Sequence, residues 1–122
     1  MVNAMILVTL LAFAACTVTD GDTIRCGSER IRLVGIDTPE LHGAKCPQEA
    51  LRAAEARDRL AVLLRPGFTI QRVGKDRYKR TLARVTVNGR DVGEQLIREG
   101  LARRWGGKRL PWCDGLSPSA PI

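Results

Sequence analysis

Three short stretches of this chain gather the side chains that phosphate chemistry needs. Asp20-Gly21-Asp22 sets two carboxylates around a glycine. RLVGIDTPE, residues 32–40, opens on a guanidinium and closes on Asp37 and Glu40. GKDRYKR, residues 74–80, carries Arg77 and Arg80 in a basic loop. Hard cations such as Ca²⁺ take oxygen ligands from carboxylates and carbonyls, with water completing the shell. Phosphoryl transfer to water asks for positive groups on the negative oxygens and a base that orients and deprotonates the attacking water. Asp22, Asp37, Glu40, Arg32 and Arg80 supply all of these. Taken singly, the stretches have plainer readings: Asp-Gly-Asp and Asp-Thr-Pro-Glu as turns, and KDRYKR as a solvated basic loop. The three together argue for chemistry.

The elements that must position them are legible from periodicity. CTVTDGDTIRC alternates apolar and polar residues around Asp20-Gly21 and predicts a tight hairpin of two strands. After the Gly27-Ser28 turn, ERIRLVGI predicts a third strand. Residues 47–64 change to helical spacing, with Ala50, Ala53, Ala56, Leu60 and Leu63 or Leu64 on one face, Pro47 near the first turn and Arg65-Pro66-Gly67 as the stop. Residues 68–73 and 81–87 return to period two as the fourth and fifth strands. Beyond the Asn88-Gly89 turn, Asp91 stands three residues ahead of Glu94, a capping box for a short second helix closed by Gly100. This order predicts a mainly β fold with α, a five-stranded Greek-key barrel of the OB type with two helices. An open antiparallel sheet with both helices on one face is the alternative. Arg32 and Asp37 are five residues apart, so strict alternation would send them to opposite faces. The strand must therefore end or bulge between them, and Gly35 is the natural place.

Composition limits what such a site serves. The chain has 122 residues, enough for one domain, and a formal net charge of +7 with no charged side chain before Asp20, which favours a polyanionic partner. Aromatic residues are 4% of the chain, too few for a base-stacking platform to be the first reading. The apolar run from Met5 to Ala14 is too short to span a bilayer but matches a secretory signal core, and Ala12-Phe13-Ala14 has the form of a cleavage site, although no Lys or Arg precedes the run. A buried first strand, a mis-set start codon and a lipoprotein-type box at Cys16 are the alternatives. The four cysteines contain no C-x-x-C pair, which argues against a zinc cluster and for disulfides. Cys16 and Cys26 would face each other across the hairpin, leaving Cys46 with Cys113 to tie down the tail. Both bridges suit an exported protein. The tail REGLARRWGGKRLPW interleaves Arg103, Arg104, Lys108 and Arg109 with Trp105 and Trp112. It reads either as a widened nucleic-acid footprint or as a solvated end whose tryptophans cover the barrel base.

The segments DGDTI (20–24), RLVGIDTPE (32–40), DRYKR (76–80) and VNGRDVGEQLIREGLAR (87–103) resemble, in order and spacing, the staphylococcal nuclease (thermonuclease) family. The resemblance covers the chain from about Cys16 to Trp105. It implies an OB barrel and an endonuclease that cuts DNA and RNA phosphodiesters with Ca²⁺ to leave 3′-phosphate ends. It makes Asp22 and Asp37 the carboxylate ligands of Ca²⁺, with the Thr38 carbonyl as a third. Glu40 would hold the attacking water as general base, Arg32 and Arg80 would bind the scissile phosphate from two sides, and Arg77 and Tyr78 would contact a flanking phosphate. Asp20 has the look of a turn residue behind the ligands. Lys79 stands where family members commonly have glycine. The expected organisation is a signal segment at 1–15, an OB domain at 16–105 and an irregular tail at 106–122, in a secreted or periplasmic monomer without stable membrane association. The competing class is an OB module that binds nucleic acid without cutting it.

Overall fold

The computed structural model describes residues 16–113; the expected signal segment and residues 114–122 lie outside the described residues. The hairpin forms as β1 (Cys16–Asp20) and β2 (Thr23–Cys26), followed by β3 (Glu29–Leu33). Cys16 and Cys26 are directly opposed in the ladder and joined by a disulfide. The register shifts between Val18 and Asp20, so that Asp20 pairs with Thr23 at the turn. The third strand is shorter than its apolar run. Gly35 adopts φ +83, a conformation that favours a residue without Cβ, and the chain leaves the ladder there to form the two-residue β4 (Ile36–Asp37). The break needed to bring Arg32 and Asp37 to one site is therefore present at Gly35.

Helix α1 (Pro47–Leu64) has the predicted bounds and buries Ala53, Ala56, Leu60 and Leu64. It lies so close to the first hairpin that a Cβ on Gly21 would come within 2.6 Å of the Ala56 Cβ. Strand β5 (Thr69–Lys75) runs two residues beyond its expected end, and β6 (Thr81–Val87) matches. Asn88 (φ 51) and Gly89 (φ 80) turn the chain left-handed into β7 (Arg90–Asp91). Helix α2 (Val92–Arg98) follows, with Asp91 Oδ1 accepting the Glu94 amide at 3.0 Å. Only half of the capping box forms, because the Glu94 carboxylate is held instead by both terminal nitrogens of Arg104, at 2.7 and 3.0 Å.

The main sheet has the order β1-β2-β3-β6-β5, with β7 on β6; a β1–β5 ladder that would close the barrel is not among the described pairings. The element order is that of the OB type, with strand β8 (Arg103–Arg104) added by the segment after α2. β8 pairs antiparallel with β4, and the Trp105 amide donates to the Gly35 carbonyl at 2.9 Å. Sequence periodicity does not reveal this pairing, since two-residue strands are too short to show a period. Between the sheet and the two helices lies a core of Ile24, Ile31, Leu33, Ile36, Leu60, Leu64, Ala83, Val85, Val92, Leu96 and Ala102.

Candidate active site

The register of three adjacent strands builds the site. β2 and β3 pair Thr23 with Arg32, and the Leu33 amide donates to the Asp22 carbonyl at 2.9 Å. β3 and β6 run parallel with Arg32 opposite Leu82, so Arg80, two residues before Leu82, arrives on the same face as Arg32. The bend at Gly35 then brings Asp37 back towards Asp22, whose Oδ2 lies 3.4 Å from the Thr38 amide. The result is one cleft of about 840 Å³ whose lining includes Asp22, Arg32, Asp37, Glu40, Arg77, Tyr78 and Arg80. Thr38, beside it, is buried. Every residue singled out from the sequence thus lies in or against one cavity.

Each group is held by named partners. Arg32 spans the strand break, donating to the carbonyls of Leu33 at 2.7 Å and Ile36 at 2.9 Å, while its Nη1 lies 3.5 Å from Asp22 Oδ2. The arginine thereby fixes the bend that positions Asp37. Asp76 accepts the Arg80 side chain at 2.8 Å and, through its other oxygen, the backbone amides of Arg80 and Tyr78 at 2.9 Å each. Burial works against the Asp76 charge, but these N–H groups keep its pKa below the ordinary value. Tyr78, at the lip, has the Arg77 and Arg80 guanidiniums 5.0 and 5.7 Å from its ring centre. Lys79 carries φ 68, the left-handed conformation that glycine would take at no steric cost.

The acidic side of the cleft is mostly buried: Asp22, Asp37 and Thr38 are 7, 2 and 1% exposed. Glu40 stands at the opening with its side chain 48% exposed. Partial burial raises its pKa, Arg109 pulls it down, and the charges of Asp22, Asp20 and Glu49 push it up again, leaving it above the ordinary value. A carboxyl displaced in that direction is a better proton acceptor. Asp20 is also raised, by burial and then by Asp22.

Glu49, in the first turn of α1, is buried and accepts the amides of Glu40 at 2.8 Å and Lys45 at 3.0 Å. Burial opposes its charge, but these two amides and then Arg109 hold its pKa below the ordinary value. It ties the loop carrying Glu40 to the helix.

Three contributors lie outside the residues singled out as site groups. Asp76 had a signal, four residues ahead of Arg80 in DRYKR. Glu49 is hidden among ordinary first-turn acids. Arg109 reads as one more tail cation, yet its guanidinium enters the acidic side of the cleft, 2.7 Å from Asp37 Oδ1 and 3.2 Å from Glu40 Oε2. The tail is accordingly not a solvated end: several of its side chains are fastened to the domain. Arg104 is held by Glu94, the Arg103 guanidinium lies 3.5 Å from the Trp112 ring centre, and Trp112 is buried with its indole N–H on Asp37 Oδ2 at 3.3 Å. Cys113 joins Cys46 just before α1, as the elimination of the other pair implied.

Among the described residues, no group of three or more His, Cys, Asp or Glu side chains is placed to hold a metal ion by side chains alone. The oxygen set of Asp22, Asp37 and the Thr38 carbonyl nevertheless fits a hard cation in donor type, completed by water. The Thr38 hydroxyl is buried with no hydrogen-bond partner among the described residues.

Residues 30–109 match the family model described as "Staphylococcal nuclease homologue". The chain is 30% identical over 122 residues, covering 84% of it and 65% of the relative, to a protein named "Uncharacterized endonuclease" from Haemophilus influenzae. It is 36% identical over 92 residues, 70% of this chain and 55% of the relative, to a "Thermonuclease" of Staphylococcus intermedius. It is 35% identical over 92 residues, 70% of this chain and 54% of the relative, to a "Thermonuclease" of Staphylococcus hyicus. The chain thus spans between about half and two thirds of the length of these relatives. With the family match covering most of the domain and the motif residues gathered in one cleft, this chain belongs to the family of staphylococcal nuclease homologues.

Proposed function

We propose that this chain is an endonuclease that hydrolyses phosphodiester bonds of DNA and RNA to 3′-phosphate products, with Ca²⁺ as its metal, acting as a monomer outside the cytoplasm. The observation that carries the reading is the single cleft shared by Asp22, Asp37, Glu40, Arg32 and Arg80. Asp22, Asp37 and the Thr38 carbonyl would hold the cation, which when bound supplies charge neutralisation at the phosphate. Glu40 accepts the proton of the attacking water. The water oxygen bonds to phosphorus, the bond to the 5′ oxygen breaks, and that oxygen leaves as the hydroxyl with a proton taken from solvent water. Arg32 and Arg80 contact the non-bridging oxygens as negative charge grows on them, and Arg77 and Tyr78 contact the neighbouring phosphate. Two disulfides and the apolar first residues support export.

The test is digestion of plasmid DNA, single-stranded DNA and RNA with and without chelator. Cleavage should require divalent metal and be lost in Glu40→Gln and Arg80→Ala. Undiminished cleavage by both variants overturns the roles given to these residues. The guanidinium of Arg109, already lying on Asp37 and Glu40, favours one second reading, a module that binds nucleic acid without cutting it. That reading predicts salt-sensitive binding with no product.

A further inference from the structure

Both carboxylate oxygens of Asp37 are engaged by the segment that follows β8. Arg109 donates to Oδ1 at 2.7 Å and Trp112 to Oδ2 at 3.3 Å. The same Arg109 guanidinium reaches the Thr38 carbonyl at 3.4 Å and lies 3.2 Å from Glu40 Oε2. These are oxygens that the proposed function gives to the metal and to the attacking water. Two positive groups cannot occupy one poorly solvated oxygen set without strong repulsion. The Asp37 side chain is 3% exposed and that of Arg109 is 40% exposed, so the arginine is the partner able to swing out.

The segment is fastened like a strap. Its start is fixed by β8 and by the Trp105 amide on the Gly35 carbonyl; its end is fixed by the Cys46–Cys113 disulfide. Near that end, Arg103 stacks on Trp112 at 3.5 Å and donates to the Pro111 carbonyl at 2.9 Å. Gly106 and Gly107 give the chain a pivot between β8 and Arg109.

We propose that Arg109 is a built-in competitor of the divalent cation, laid on Asp37, Thr38 and Glu40 by the strap of residues 105–113 and lifted off when the cation binds. The proposal rests on the metal-dependent reading above. With its ends fixed, the strap holds the guanidinium at high effective concentration beside the pocket, so Arg109 returns when the cation leaves. Opening the Cys46–Cys113 bridge lowers that concentration and weakens the competitor.

The experiment is a calorimetric titration of CaCl₂, without nucleic acid, into the wild type, Arg109→Gln, the pair Cys46→Ser with Cys113→Ser, and Asp37→Asn. Each protein is first checked for folding by circular dichroism. Arg109→Gln should bind Ca²⁺ about tenfold more tightly or better, the cysteine pair should change in the same direction by less, and Asp37→Asn should lose binding. Affinity in Arg109→Gln equal to or weaker than wild type overturns the competitor and leaves the metal centre standing. No binding by wild type and Arg109→Gln alike overturns both the competitor and the metal centre, since removing the guanidinium then frees no cation site. Undiminished binding by Asp37→Asn places the ion elsewhere and also overturns the proposal. Should Arg109→Gln not fold, the cysteine pair decides by the same criterion.

Discussion

Under the proposed function, Arg32 would serve structure and chemistry together. Two carbonyls across the Gly35 break and the nearby Asp22 carboxylate hold its guanidinium, and Arg32 lines the cleft. Lysine has one nitrogen centre and cannot bridge two carbonyls while meeting a phosphate. Arg32→Lys should therefore lower kcat/KM by on the order of 100-fold or more, with a detectable loss of stability, measured by steady-state cleavage and urea unfolding. Asp76 acts through Arg80. Asp76→Asn keeps the backbone contacts but loses the charge that aims the guanidinium, so about tenfold is expected, mainly in kcat. A fall confined to KM would instead mean that Arg80 serves binding alone.

At the scale of elements, Glu29 joins three strands. From β3 its carboxylate accepts Nε and Nη2 of Arg72 in β5, at 2.8 and 2.7 Å, and the Thr81 hydroxyl at the start of β6 at 2.7 Å. The Arg72 hydrogen bonds lead in lowering its pKa from 4.5 to about 2, against some burial and with help from Thr81. The folded pKa lies below the unfolded one, so this stabilisation is complete above about pH 4.5 and disappears as pH falls towards 2. Arg72 is more than half exposed, and screening reduces the benefit to about 1 kcal/mol. Glu29→Gln should lower unfolding free energy by about that amount at pH 7 and hardly at all near pH 2, as followed by urea denaturation at both values. An equal deficit at the two pH values would assign the effect to packing.

For the whole molecule, the long disulfide matters most. It spans 67 residues and links the entry to α1 with the end of the strap, constraining an unfolded chain that would otherwise explore widely. Its removal through the paired Cys46→Ser and Cys113→Ser should cost about 2–4 kcal/mol in thermal or urea unfolding. The same variant should bind Ca²⁺ more tightly, so stability and metal affinity move in opposite directions. A parallel loss of both would mean that the strap builds the pocket instead of blocking it.

The signature of the candidate site was legible in the chain because its parts are local. DGDTI is a turn between two alternating strands, RLVGIDTPE needs a break that only its glycine offers, and DRYKR carries its own acid for its arginine. Helix α1 was equally plain, because eighteen residues allow several repeats of the apolar spacing. Arg109 and Glu49 were not. They meet Asp37 and the Glu40 loop across separations of 72 and 9 residues, and nothing nearby in the sequence marks them apart from other surface charges. The pairing of β8 with β4, the disulfide to Cys46 and the burial of Trp112 turn a basic tail into the arm that reaches the acidic pocket. Patterns along a chain report which face of an element is apolar, whereas the partner of a buried charge is chosen only when distant segments come into contact.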